Sequence, residues 1–325
     1  MLYRLAKVLK LGMKAAQQNM KLAGFSSLGV LLWLGFGLNI LLTLLLIFTL
    51  YLCTGGFKFM TVVAKTLPRD LQALLILLKL KRQIKSLTKE RKGIPSMFYE
   101  VCDRDPAKTC FIDAIEGRYW SYKEFDDYSN QIGNYFLSLG YQPGDSVAVF
   151  MESSPQYVAT WLGLAKIGVI PALINYNLRL DSLVHCLEAA TVKAIVYTSE
   201  LQEAVNGAAH LIPKSVALYQ FGTSSSATSL DTAIESTVKS RPPVLEYDFN
   251  SPLIYIYTSG TTGLPKAAKV VHSRYFYMSS SIYFFGGLNS TSIIYDTLPL
   301  YHTAGGILGV GQALLRGIVN IIKYI

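Results

Sequence analysis

The stretch Tyr255-Ile256-Tyr257-Thr258-Ser259-Gly260-Thr261-Thr262-Gly263-Leu264-Pro265-Lys266 opens as an apolar, β-like run, turns into a loop of hydroxyls and glycines, and ends on a lysine. Glycines let a backbone take positive φ and bring N–H groups close to an anion. The hydroxyls of Thr258, Ser259, Thr261 and Thr262 can donate to phosphate oxygens. Lys266 adds a mobile positive charge. The combination describes a phosphate cradle. A plain Ser/Thr/Gly surface loop shares the composition, but this loop is uncharged until Lys266 and directly follows a strand of buried character. It is not a Walker loop, in which Lys follows the second Gly and is itself followed by Ser or Thr. Here Leu264 and Pro265 separate Gly263 from Lys266, and Ala267 follows.

Upstream of the loop, short apolar runs alternate with helical patterns. Tyr119 to Ser121 reads as a strand. Ser121 then caps a helix, with Glu124 three residues on completing a capping box. Residues 146–150 read as a buried strand, 155–166 as a helix, 169–174 as a strand, 179–191 as a helix and 194–198 as a strand. This alternation predicts an α/β fold of parallel βαβ units. Residues 222–229 are rich in Ser and Thr and read as a surface loop. Downstream, residues 267–279 read as mixed strand and helix, and residues 318–325 as a strand.

Further upstream the composition changes. Residues 1–92 carry 15 Lys and Arg against only Asp70 and Glu90, whereas residues 93–325 carry 15 against 19 acidic residues. The net charge of +9 therefore belongs to the N-terminal part. Its cations flank an apolar run instead of a folded aromatic face, which argues against nucleic acid and for anionic lipid headgroups. Residues 1–21 read as a basic amphipathic helix or as the charged flank of the neighbouring apolar segment. Residues 22–57 contain no charge, and the core at 28–53 is longer than the roughly 20 apolar residues that cross a bilayer. A single uncleaved transmembrane helix is expected, with a re-entrant hairpin near Gly35 and Gly37 as the alternative. Residues 69–92 read as an interfacial helix or as a linker helix packed on the globular part. The expected division is a membrane anchor over 1–57, a basic interfacial linker over 58–93, and a globular domain over 94–325 on the cytosolic side. Four cysteines without close pairing suggest buried thiols, and no histidine cluster suggests a metal site.

The run from Tyr257 to Lys266 resembles the signature loop of the adenylate-forming, AMP-binding enzymes. Ala267 and Ala268 stand where most members have Gly, as in the fatty acid transport protein branch of very-long-chain acyl-CoA synthetases. The segments 168–179 and 184–187, the latter Val-His-Cys-Leu, are also similar to that branch and are given a packing role, not a chemical one. Asp296-Thr-Leu-Pro-Leu-Tyr-His-Thr-Ala-Gly-Gly306 resembles a second family motif that lines the wall between nucleotide and acyl pocket, which points to Tyr301, His302 and Gly305. The resemblance implies a ligase using ATP, Mg²⁺ and CoA. A fatty carboxylate takes the α-phosphoryl group of ATP with loss of pyrophosphate, and CoA then displaces AMP to give the thioester. Residues 255–266 are implied to bind ATP. No catalytic residue is assigned.

Later family motifs, which hold adenine, ribose and the metal and supply a catalytic lysine, find no match before Ile325. The expectation is therefore a truncated synthetase, inactive alone, whose last strand leaves an open sheet edge. The alternative is a non-catalytic membrane protein binding lipid or a partner. Fatty acid and membrane lipids are the expected partners, with a second copy or a full-length synthetase as the protein partner. The expected location is the endoplasmic reticulum or plasma membrane.

Overall fold

The computed structural model describes residues 39–52, 56–222, 227–259 and 265–323. The chain divides into two compact units, Met1–Leu75 and Ile76–Ile325. In the first, α1 spans Ile40–Tyr51 and is capped by the Asn39 side chain, which accepts the Leu41 N–H at 3.0 Å. The expected amphipathic segment 1–21 and the expected span at 22–38 and 53–55 lie outside the described residues. At ~1.5 Å per residue α1 is about 18 Å long, short of a bilayer core of about 30 Å. Among the described residues no helix is long and apolar enough to cross a membrane.

Next comes α2, Phe57–Lys89, a single helix with Pro68 in its interior. From Ile76 onward one stripe of it turns to the core of the second unit. Leu80 is fully buried, and Ile76, Ile84 and Leu87 pack against the core. These residues recur at i, i+4, i+8 and i+11, one face of an α-helix. The packed-linker alternative therefore describes this half of the helix.

The second unit holds two sheets. Helix α3 (Ile94–Arg104) leads into β1 (Thr109–Asp113) and β2 (Tyr119–Ser121). Helix α4 (Tyr122–Ser138) begins at the expected capping box. The Glu124 N–H donates to Ser121 Oγ at 3.2 Å, and the Ser121 N–H donates to Glu124 Oε2 at 2.9 Å. Then follow β3 (Ser146–Phe150), α5 (Pro155–Lys166), β4 (Ile170–Leu173), α6 (Leu180–Ala189), β5 (Ala194–Thr198), α7 (Gln202–Ala208), β6 (Ala217–Phe221), β7 (Thr228–Ser229) and α8 (Leu230–Glu235). The chain continues through β8 (Pro252–Ser259), β9 (Pro265–Val271), α9 (His272–Phe285), β10 (Ile293–Asp296), α10 (Val310–Arg316) and β11 (Val319–Ile322).

The larger sheet runs β7-β6-β5-β3-β4-β8-β9. Every neighbouring pair is parallel except the last. Its central strands are buried end to end, as a parallel sheet covered on both faces requires. One expectation changes here. Residues 228–229 are not loop but an edge strand, because their backbone pairs with Tyr219 and Gln220. The described residues of the signature stretch belong to the antiparallel β8–β9 pair, with Thr258 opposite Lys266 and Ser259 opposite Pro265.

The smaller sheet runs β10-β11-β1-β2. The expected open edge at the last strand is corrected by this order. β11 is internal, parallel to β10 on one side and to β1 on the other, so its backbone groups are paired on both flanks.

A buried charge cluster ties α4 to α5. Lys166, 2% exposed, donates to Asp126 Oδ1 at 2.6 Å, Ser129 Oγ at 2.7 Å and Asn130 Oδ1 at 2.7 Å. Arg241 donates to the other Asp126 oxygen at 2.9 Å and grips Asp103 with two N–H groups. Burial drives the Lys166 pKa down to about 8, against the pull of Asp126. Cys102, Cys110 and Cys186 are buried free thiols; Cys53 lies outside the described residues.

Candidate functional site

In an open α/β sheet, ligands bind beyond the carboxyl ends of the strands. In β3, β4 and β8, adjacent and parallel, the first two of those ends are followed by Ser153 and by Asn175 and Tyr176, while β8 itself ends on Thr258 and Ser259. The first two strands deliver partners for the second motif. Ser153 Oγ accepts the Leu300 N–H at 3.1 Å. The Tyr176 ring meets the Tyr301 ring edge-on, centroids 5.4 Å apart. The segment from Pro299 to Gly306 therefore lies over the same carboxyl edge at which β8 ends.

Within that segment the backbone is tightly wound. The His302 N–H donates to Pro299 O at 3.0 Å, and the Gly306 N–H donates to His302 O at 2.8 Å. A π-helical turn covers Ala304–Gly309; such turns are rare and recur at functional sites. A Cβ on Gly305 would stand 2.5 Å from Leu298 O and 2.7 Å from Pro299 O, so only glycine lets the turn close. Gly306 faces Leu300 O in the same way. Its own carbonyl accepts the Tyr275 hydroxyl at 3.0 Å.

Of the sequence-predicted residues, Ile256 is buried in β8, and Tyr255 and Tyr257 are half-buried. Thr258 and Lys266 are exposed opposite one another at the hairpin's end. Ser259 and Pro265 are the last pair. Gly260, Thr261, Thr262, Gly263 and Leu264 lie outside the described residues. Tyr301 is 8% exposed and its ring packs on His302, centroids 4.5 Å apart, while the His302 side chain itself is exposed. His302 is thus no satisfied core histidine. Gly305 is buried. Burial raises the phenol pKa of Tyr257, Tyr176 and Tyr301 above the ordinary value, so all three stay neutral donors at neutral pH.

The hairpin is also held from behind. Tyr257 donates its hydroxyl to Cys186 O at 2.5 Å, and His185 Nε2 lies 2.9 Å from Pro265 O. Sequence reasoning gave His185 and Cys186 packing alone. It missed Ser153 altogether and gave Tyr176, within 168–179, packing alone, although their places just after two parallel strands were a usable signal. A cavity of about 360 Å³, lined by Gly144, Gly168, Ile170, Tyr247, Pro252 and His272 among others, opens at the opposite, amino end of these strands.

The sequence model of the AMP-binding enzyme family matches residues 98–323, which include both motifs. The chain belongs to the AMP-binding enzyme family. Among the proteins it is similar to, rat long-chain fatty acid transport protein 1 is 38% identical over 308 residues, covering 93% of this chain and 47% of the relative. Human long-chain fatty acid transport protein 1 is 38% identical over 84% of this chain and 43% of its own length. Rat long-chain fatty acid transport protein 2 is 34% identical over 77% and 41%. The chain spans about half the length of these relatives. The fold is shared with a long-chain-fatty-acid-CoA ligase from Archaeoglobus fulgidus, TM-score 0.64 at 19% identity, over 71% of this chain and 46% of that one. It is shared equally with the Mycobacterium tuberculosis fatty acyl CoA synthetase, TM-score 0.62 at 21% identity, over 72% and 44%.

Proposed function

We propose that this AMP-binding chain carries the ATP- and acyl-handling part of a membrane-associated long-chain fatty acid–CoA ligase. The observation that carries the reading is the common edge shared by the Thr258–Lys266 hairpin end and the Tyr301–Gly305 turn. Residues 255–266 are the proposed ATP site. The donor set fits a polyphosphate: residues 252–271 contain no carboxylate, two lysines and a run of hydroxyls. Lys266 offsets the negative charge that gathers as pyrophosphate leaves. Tyr301, His302 and Gly305 form the wall between nucleotide and acyl chain. In the reaction a carboxylate oxygen bonds to the α-phosphorus of ATP and the bond to pyrophosphate breaks. The CoA sulfur then bonds to the acyl carbon, and AMP departs. Mg²⁺ is proposed to accompany the phosphates, whose oxygens it would bridge and neutralise; among the described residues no group of three or more His, Cys, Asp or Glu could hold a metal ion.

The similarity to long-chain fatty acid transport proteins supports the substrate class. The uncharged run at 22–57 and the cations after it support an anchor and an interfacial linker at a membrane, with the linker's half from Ile76 packed on the globular core. Residues 94–325 are proposed to face the cytosol, and a second copy or a longer synthetase is the proposed protein partner. The test is ATP binding by the 325-residue chain in detergent. Lys266→Ala is expected to weaken it at least about tenfold, in line with a charge-assisted phosphate contact. A wild-type chain that binds no ATP refutes the reading. Adding oleate, Mg²⁺ and CoA and following pyrophosphate and thioester decides whether these residues turn over unaided. Protease protection in microsomes decides the sidedness.

A further inference from the structure

We propose that His185 is a positioning residue for Lys266, acting through the carbonyl of Pro265. The inference rests on the reading that Lys266 meets the nucleotide phosphates. His185 sits in the second half of α6, Leu180–Ala189, and its Nε2 is 2.9 Å from Pro265 O. A carbonyl oxygen only accepts, so the imidazole must carry a proton on Nε2 and donate it. The acceptor belongs to the peptide bond that joins Pro265 to Lys266.

That location gives the contact its leverage. A peptide unit is planar, so fixing its C=O also fixes the N–H and Cα of the residue that comes next. Proline's ring already sets φ of residue 265. The remaining torsion at Pro265 is ψ, which turns the Pro265–Lys266 peptide plane. Pairing with β8 restrains that plane at the end of the strand. The hydrogen bond from His185 restrains it from the carbonyl side, and with it the direction in which the Lys266 side chain leaves β9. Lys266 is exposed, and its long stem gains a defined origin only from its backbone.

The other arm of the hairpin is held by the next residue of the same helix. Cys186 O accepts the Tyr257 hydroxyl at 2.5 Å, and Tyr257 is the register partner of Ala267. Two consecutive residues of α6 thus hold β8 and β9 on either side of the Thr258–Lys266 pair. The hydroxyl contact ties down the strand as a whole, whereas the imidazole contact sets one peptide plane. His185 is therefore separable from general packing by chemistry. Glutamine, whose side-chain N–H can reach the same carbonyl, restores what alanine removes.

The experiment is a double-mutant cycle on ATP affinity in the full chain, with His185→Ala, His185→Gln, Lys266→Ala and the double variant His185→Ala/Lys266→Ala. Loss of one hydrogen bond in His185→Ala is expected to weaken ATP binding about 2- to 10-fold. In the Lys266→Ala background the same change should have no further effect, because the two residues act as a unit. His185→Gln should return within about twofold of wild type by keeping the donor. Equal losses in both backgrounds, or an unchanged affinity in His185→Ala, overturns the proposal. A wild-type chain that binds no ATP removes the phosphate reading instead. The proposal is then judged by hydrogen exchange of a peptide covering residues 265–271. Faster exchange in His185→Ala with recovery in His185→Gln upholds the pinned peptide plane, and exchange unchanged from wild type overturns it.

Discussion

Replacing His272 by asparagine should flatten the acid side of the stability profile of the second unit. His272 opens α9 and is 2% exposed. Its Nδ1 accepts the Ile94 N–H at 3.0 Å, at the start of α3, where Gly93 offers no side chain to do so. The rings of Tyr247 and Phe249 lie against it. Burial pulls its pKa from 6.5 down to about 4, with Asp248 opposing weakly. Between these two values the unfolded chain holds a proton that the folded chain does not, so stability falls as pH falls from 6.5 toward 4. Linkage puts the loss at about 2 kcal/mol at pH 5 and about 3 kcal/mol at pH 4. Asparagine places an acceptor oxygen near the position of Nδ1 and does not titrate. Urea unfolding of wild type and His272→Asn, followed by tryptophan fluorescence at several pH values, gives the difference directly. Other groups cancel in that difference. Asp296 is one of them: burial raises its carboxyl to about 6, so it acts in the opposite sense, and its contribution is lost as pH rises. Parallel profiles for the two proteins between neutral pH and about pH 5 would refute the reasoning.

Gly305→Ala places a Cβ about 1 Å inside ordinary contact of ~3.5 Å with Leu298 O. Overpacking of this kind costs about 1–3 kcal/mol, read as a lowered urea midpoint. The accompanying shift of the Tyr301 turn should reduce any turnover by about 100-fold. Lys166→Met removes one partner of a buried ion pair and should destabilise by about 3–5 kcal/mol, softened by the contact Arg241 keeps with Asp126. Ser121→Ala deletes the acceptor of the capping box at the head of α4 and should cost about 1 kcal/mol in the same unfolding assay.

What could be read from sequence was local. The capping box at Ser121 and Glu124 needs two residues three apart and nothing else. The parallel strands announced themselves as apolar runs spaced by helices. The hydroxyl-rich loop was legible because its chemistry is contiguous. Other features depend on residues far apart in sequence. Residues 267–279 read as mixed strand and helix with no boundary between the two, and the strand Pro265–Val271 is set by its pairing along β8. His272 serves a helix that starts 178 residues earlier. His185 looked like packing because its partner is a main-chain carbonyl, which leaves no trace in residue identity. The membrane expectation rested on residues 22–57, of which 39–52, 56 and 57 are described; within them α1 has 12 residues, fewer than a bilayer core needs.

The order of the smaller sheet also bears on how the chain is made. Phe111 of β1 finds its partner in Asn320 of β11, and that partner leaves the ribosome about 200 residues later. At ~5–20 residues per second the wait is roughly 10–40 s. During it β1 presents a bare edge on the side away from β2, although Phe111 already has the ring of Phe125 in α4 to pack on. The seven-stranded sheet, whose strands all emerge earlier, can close first. β11, which joins β1 to β10, is therefore the last of the four strands of this sheet to be made, and the β1 edge stays open until it arrives.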